Sequence, residues 1–212
     1  MEGITIALAK GRLADQSIAI LEKCGIDCSE LKNAGRKLIL FDTKDDYRFI
    51  LVKPSDVPTY VEHGVADVGI AGKDTLLEAN LPLYEMLDLG IGRCKLCICG
   101  PADRTERAIT VSNRRVATKY PHIAREYYAM RGESIEIIKL NGSVEIGPLL
   151  GLSDVILDIV ESGRTLQENG LVVIETVCEC SARVVVNRVS LKTKRVRITK
   201  LIEDMSAVVE GK

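Results

Sequence analysis

Short apolar runs alternate along this chain with stretches whose apolar residues recur at helical spacing, which predicts β-α units around a mostly parallel sheet. Residues 4–8 (ITIAL) read as a buried strand. A helix follows from about 14 to 23 and stops near Gly25, since glycine readily takes the left-handed conformation that ends helices. Residues 37–41 and 47–52 read as strands joined by the polar turn TKDD. PSDVPTYVEHG predicts a helix ending at Gly64, and DVGIA (67–71) the next strand. After Lys73 a helix starts near Asp74 and Thr75, where one of the two caps it, and ends before Pro82.

The middle of the chain changes character. Residues 83–100 form one long strand-like run whose glycines permit a bend. Residues 114–119 read as a strand, and Pro121 is placed to open a helix reaching about Met130. Strands over 134–140 and 154–160 flank a short helix at 144–150, and a further helix covers 165–169. A second long strand-like run spans 171–188, and a terminal helix covers about 193–210. Two long extended segments, one leading into the middle and one out of it, predict a discontinuous arrangement. Residues 1–90 and 180–212 would form one lobe and 91–179 the other, with a hinge at the double crossing and a ligand cleft between the lobes.

Composition narrows the function. A chain of 212 residues, 46% hydrophobic and 28% charged, can bury a sizeable core and has none of the bias of a disordered one. No segment reaches the roughly 18 consecutive apolar residues that a membrane span needs. MEGITIALAKGR lacks the features of a secretory signal, so a cytoplasmic location is expected. A net charge of -1 means that any anionic ligand must be gripped by local basic groups, not by an overall field. The basic stretch KTKRVRITK (192–200) has no interleaved aromatics and reads as a solvated helix face, not a nucleic-acid site. The seven cysteines include CxxCxC at Cys94, Cys97 and Cys99 and CxC at Cys178 and Cys180. Their apolar, β-branched surroundings favour small buried strand residues over a zinc site, and only two histidines are available for other metal chemistry.

The stretch DVILDIVESGRTLQENG (154–170) carries the most chemistry. Alternate strand residues share a face, so Asp154, Ile156 and Asp158 point the same way. Asp158 lies near the C-terminal end of its strand, where open α/β sheets bind ligands. Glu161, Ser162, Gly163, Arg164, Thr165 and Leu166 then turn into a helix whose free N–H groups favour a phosphate. The acids suit sugar hydroxyls or Mg²⁺. The same pattern also describes an ordinary capped strand-to-helix turn. After the first strand, Lys10 and Arg12 flank Gly11, a place to hold a polyphosphate, although neither a Walker loop nor a dinucleotide fingerprint is present. Gly72 and Lys73 form a similar turn, and Glu145 in NGSVEIGPLLG opens a short helix next to the 154–160 strand.

ITIALAKGRL, ADVGIAGKDTLLE, DLGIGRCKL, VATKYP, NGSVEIGPLLGL and DVILDIVESGRTLQENGL occur here in that order. Together they resemble the ATP phosphoribosyltransferases of histidine biosynthesis over nearly the whole chain, the NGSVE and DVILDIVESGRTL blocks most specifically. With no regulatory region after the terminal helix, the chain is similar to the short form. The resemblance implies an α/β fold of two lobes, periplasmic-binding-protein type II-like, with a cleft between lobes. It implies condensation of ATP with 5-phosphoribosyl 1-pyrophosphate, with Mg²⁺ as cofactor. It also implies a histidyl-tRNA-synthetase-like regulatory partner that confers activity and inhibition by histidine. By the same resemblance, residues 161–166 hold the sugar 5-phosphate, and Asp154, Asp158 and Glu145 lie near the ribose hydroxyls and metal. Lys10, Gly11 and Arg12 contact phosphates, while Arg93 and Lys119 line the cleft. Lys53 stands before PSDVP where many relatives carry arginine, keeping the charge but not the bidentate fork. A two-lobed binding module without catalysis is the alternative, as is a salvage-type transferase acting on a free base.

Overall fold

The computed structural model describes residues 3–44, 46–102 and 113–211. Asp45 of the TKDD turn therefore lies outside the described residues. The chain divides into two compact units, one of Met1–Gly92 with Ser181–Lys212 and the other of Arg93–Cys180.

Unit 1 is organised by β1 (Ile4–Ala9), all six of whose residues are buried. A strand covered on both faces has no solvent side, which is why ITIALA is apolar at every position but Thr5, whose hydroxyl accepts from Arg48 Nε at 3.0 Å. Its neighbours are β3 (Tyr47–Val52) and β4 (Val68–Gly72), both parallel to it. Beyond them lie β2 (Ile39–Phe41), β5 (Tyr84–Asp88) and β11 (Ala182–Val186), giving the order β2-β3-β1-β4-β11-β5. Helices α1 (Arg12–Lys23) and α9 (Arg195–Val209) supply Ile18, Leu21, Ile198, Leu201 and Met205 to one core. On the other core α3 (Val57–Glu62), preceded by a 3-10 turn at Pro54–Asp56, brings Val57 and Val61 against Ala7, Ala71 and Val185. A Cβ on Gly69 would sit 2.6 Å from a Val61 methyl, so glycine in β4 is what lets α3 approach. Short α2 (Ser29–Lys32), α4 (Lys73–Ala79) and α8 (Arg188–Thr193) complete the unit.

One polar knot ties these layers together. The buried Asp67 carboxylate accepts from Thr5 N at 2.8 Å, Ser190 Oγ at 2.6 Å and Lys194 Nζ at 2.9 Å. Beside it Asn187 caps α8 through Val189 N and Ser190 N and donates to the carbonyls of Val61 and Glu62.

Unit 2 holds a five-stranded sheet in the order β10-β6-β9-β7-β8. Its strands are β6 (Cys94–Pro101), β7 (Arg114–Thr118), β8 (Ile135–Lys139), β9 (Val155–Val160) and β10 (Leu171–Cys180). Helix α5 (Pro121–Met130) begins at the proline, and α6 (Ile146–Leu149) and α7 (Arg164–Glu168) are short. Cys97, Cys99, Ala117, Val144, Ile156, Leu166 and Leu171 form a core cluster.

Three expectations change. The sheets are mixed, not mostly parallel: β1 with β3 and β4, and β7 with β8 and β9, run parallel, while β2, β5, β6, β10 and β11 pair antiparallel. The run 83–100 is two strands, β5 in one sheet and β6 in the other, separated by Gly90 (φ 65°) and Gly92 (φ 60°) in left-handed conformations. The run 171–188 likewise splits into β10 and β11 around Ser181. Extended periodicity shows that a segment is strand but not which sheet it joins.

Candidate active site

In unit 2 the C-terminal ends of the parallel strands are set by Thr118, which is wholly buried. Its Oγ1 donates to Leu157 O at 2.6 Å and accepts from Tyr120 N at 2.8 Å, pinning the end of β7 to β9. The Thr118↔Leu157 register then puts exposed Lys119 beside half-buried Asp158 on adjacent strands. Glu145, also half-buried, starts α6 after buried Val144. Burial, with Cys97, Asp158 and Glu145 adding negative potential in that order, pushes the Cys99 thiol up to about 12. Both carboxylates therefore act on one locality of the sheet.

The turn 161–166 leaves the end of β9. Glu161, Ser162, Arg164 and Thr165 are exposed, whereas Leu166 is 6% exposed and belongs to the core. Leu166 thus anchors the turn through packing. Gly163 sits at φ 74°, ψ 0°, a left-handed conformation that costs other L-residues roughly 1–2 kcal/mol. Arg164 N donates to Ser162 Oγ at 3.4 Å, so that hydroxyl already meets the first N–H of α7. Arg164 pairs through Nε with Glu168 Oε1 at 2.8 Å along the helix surface. The antiparallel register Lys95↔Val160 also brings Arg93, exposed at the head of β6, alongside this turn.

Asp154 is not brought to this end. It precedes β9, about 13 Å along the strand from Asp158 at ~3.3 Å per residue. Its Oδ2 accepts from Arg115 N at 2.9 Å, and its Oδ1 from Arg115 Nη2 at 3.1 Å. Burial on its own would raise this carboxyl, but the Arg115 hydrogen bonds and charge prevail and hold it below the ordinary aspartate value. Sharing a strand face with Asp158 did not place it at the same end.

In unit 1, Lys10 N donates to Val52 O at 2.9 Å, so the ends of β1 and β3 lie side by side. Lys10, Gly11, Arg12 and Lys53 all emerge there, exposed. Gly11 has φ 106° and ψ -162°, a conformation essentially restricted to glycine. Lys73 pairs with Glu85 at 2.6 Å. Helix α4 begins at Lys73 with Gly72 in the N-cap position, so Asp74 and Thr75 lie within its first turn and not at the cap. Thr118 and Arg115, which fix the strand ends, went unnoticed in the sequence; only their places at the two ends of a predicted strand could have drawn attention to them. Among the described residues no group of three or more His, Cys, Asp or Glu is arranged to hold a metal ion, and no helix is long and apolar enough to cross a membrane.

Two sheet-centred units, the second inserted in the sequence of the first, define a two-lobed α/β fold of the periplasmic-binding-protein type II kind. The same fold, at 11% identity and a TM-score of 0.62, is seen in the periplasmic aliphatic sulphonate binding protein SsuA from Escherichia coli, over 100% of this chain and 75% of that one. The profile of the HisG family, ATP phosphoribosyltransferase, matches residues 53–207. The ATP phosphoribosyltransferase of Ruminiclostridium cellulolyticum is 59% identical over 96% of this chain and 95% of its own length. A solved structure, the ATP phosphoribosyl transferase (HisG:HisZ) complex from Thermotoga maritima, matches at 35% identity and a TM-score of 0.85 over 99% of this chain and 100% of that one. The chain belongs to the ATP phosphoribosyltransferase family. It is an enzyme with that activity, which opens histidine biosynthesis.

Proposed function

We propose that the C-terminal edge of the unit 2 sheet is where the chain holds 5-phosphoribosyl 1-pyrophosphate as it transfers the phosphoribosyl group to N1 of ATP. The observation supporting this is the gathering of Arg93, Lys119, Glu145, Asp158 and the 161–166 turn at one end of one sheet. The turn cradles the 5-phosphate with backbone N–H groups and the hydroxyls of Ser162 and Thr165. Asp158 and Glu145 accept hydrogen bonds from the ribose hydroxyls and stabilise the positive charge that grows on the ring as pyrophosphate departs. Arg93 and Lys119 face the leaving pyrophosphate. In unit 1, Lys10, Gly11, Arg12 and Lys53 bind phosphates of ATP. The adenine N1 lone pair attacks directly, so no general base is essential.

Mg²⁺ fits this donor set. Asp158 and Glu145 offer hard oxygens, and an ion that keeps several waters and substrate phosphates needs only one or two protein carboxylates. When bound it neutralises charge on the departing pyrophosphate. For a partner, the complex solved from T. maritima supports a HisZ-type regulatory subunit, resembling histidyl-tRNA synthetase, for this chain as well. The function is tested by incubating the chain with ATP, the activated sugar, Mg²⁺ and that subunit and following the ultraviolet absorbance of the adduct. No adduct from ATP, or an adduct from a free base instead, defeats the reading.

Two predictions arise here. Gly163→Val forces a β-branched residue into the left-handed region. KM for the sugar donor is expected to rise at least tenfold while KM for ATP stays within about threefold; unchanged donor KM would count against the cradle. Asp154→Asn weakens the Arg115 clamp. Because the folded-state pKa is depressed, the clamp stabilises the fold above the ordinary aspartate range and is lost as pH falls through the depressed value. The variant should therefore show a lower Tm at neutral pH, a Tm difference that closes in acid, and turnover within about threefold of the parent. A hundredfold loss of turnover with unchanged Tm would return Asp154 to the site.

A further inference from the structure

Unit 2 begins at Arg93 and ends at Cys180, and its first and last strands run antiparallel with Cys94 directly opposite Cys180. Cys178, on the same strand face, has its sulfur 3.8 Å from that of Cys180. All seven cysteines are present as thiols. Cys180 is 4% exposed, whereas Cys94 and Cys178 are partly open to solvent. The Cys180 thiol is pushed up by its hydrogen bonds with Cys178 and Cys94, and by burial after them, so three sulfurs share one contact.

We propose that Cys94, Cys178 and Cys180 form a thiol modification site that a two-electron oxidant of the peroxide class converts to a Cys94–Cys180 disulfide. Backbone geometry selects that pair. Directly opposed residues of an antiparallel ladder have Cα atoms about 4.5–5.5 Å apart, inside the range a disulfide spans. Cys178 and Cys180 are two apart on one extended strand, about 6.6–6.8 Å, at the upper limit of that range. Among the described residues no group of three or more His, Cys, Asp or Glu is arranged to hold a metal ion, the trio included.

The steps balance. Hydrogen peroxide oxidises the accessible Cys94 thiol: the O–O bond breaks, an S–O bond forms, and one water leaves. The Cys180 thiol then attacks the sulfenic sulfur; the S–S bond forms, the S–O bond breaks, and the hydroxyl departs with the Cys180 proton as a second water. Under reducing conditions the site stays as thiols. Once formed, the bridge closes a ring containing nearly all of unit 2, which limits its unfolded states.

The test uses the whole protein with hydrogen peroxide as the probe. After exposure, remaining thiols are alkylated, the chain is digested, and peptides are read by mass spectrometry with and without dithiothreitol. The expected result is a Cys94–Cys180 cross-linked peptide that dithiothreitol abolishes, together with a Tm raised by roughly 5 °C or more. Cys178→Ser should keep the cross-link. Cys180→Ser should lose it and leave a sulfenic acid on Cys94 that dimedone traps. The proposal is overturned if Cys94 and Cys180 both remain alkylatable while other cysteines oxidise, if the link formed is Cys178–Cys180, or if Cys180→Ser leaves no trapped sulfenic acid.

Discussion

Asp158→Asn is expected to lower kcat by about a hundredfold or more while the protein keeps its fold, because a fixed charge next to a developing cation contributes in the transition state and not in the ground state. The substitution removes the charge but keeps the shape. Asp158 is the fourth of the six residues of β9, one past the last residue paired with β7, and its half-buried side chain belongs to no core cluster. Donor KM should change far less than kcat, since a hydrogen bond to a ribose hydroxyl survives in the amide. Steady-state kinetics with the proposed HisZ-type subunit present, set against a thermal melt, separates the two. A variant turning over within threefold of the parent would remove Asp158 from the reaction, and with it the reason for placing the ribose at this edge of unit 2.

The second large effect concerns stability. Asp67→Ala should destabilise unit 1 by about 3–5 kcal/mol, since it leaves the Lys194 ammonium without its buried partner and orphans Thr5 N and Ser190 Oγ. For a protein of this size that is on the order of 10 °C in Tm. Asp67→Asn keeps an acceptor for Ser190 or Thr5 but not the ion pair, so its loss should lie between the parent and the alanine variant. Urea unfolding with an unchanged m-value reads both. A loss below about 1 kcal/mol for the alanine variant would show that the Asp67 knot contributes little to holding β1, β4 and α8 together.

Much of this molecule was legible before its fold was known, and the reasons differ by element. β1 announced itself because a doubly covered strand is apolar at nearly every position, Thr5 being its one polar residue, and α5 because proline suits the first turn of a helix. The 161–166 turn was legible as a strand-to-helix turn because a glycine and hydroxyls follow an apolar strand, a pattern that alone does not separate a phosphate cradle from an ordinary capped turn. Where Asp154 stands was not legible, because period-two alternation fixes the face of a side chain and not its position along the strand; its place before β9 and its Arg115 contact, made across 39 residues, set it apart from Asp158. The parallel or antiparallel sense of each strand was equally hidden, since pairing is decided by partners distant in sequence. The role of Thr118 was invisible for the same reason: its acceptor is a carbonyl on β9.

The insertion of unit 2 bears on how such a chain accommodates a second unit at all. β5 and β11 are antiparallel neighbours with Arg183 opposite Asp88, so within the unit 1 sheet residues 93–180 occupy the place of a hairpin loop. A floppy loop of that length would carry a large closure entropy. Here the inserted segment folds so that its own first and last strands are hydrogen-bonded partners, and its two ends return to the sheet already adjacent. The sheet of unit 1 therefore experiences an insertion of many tens of residues as little more than a tight turn, and sequence change inside the insert can proceed without disturbing the strands that flank it.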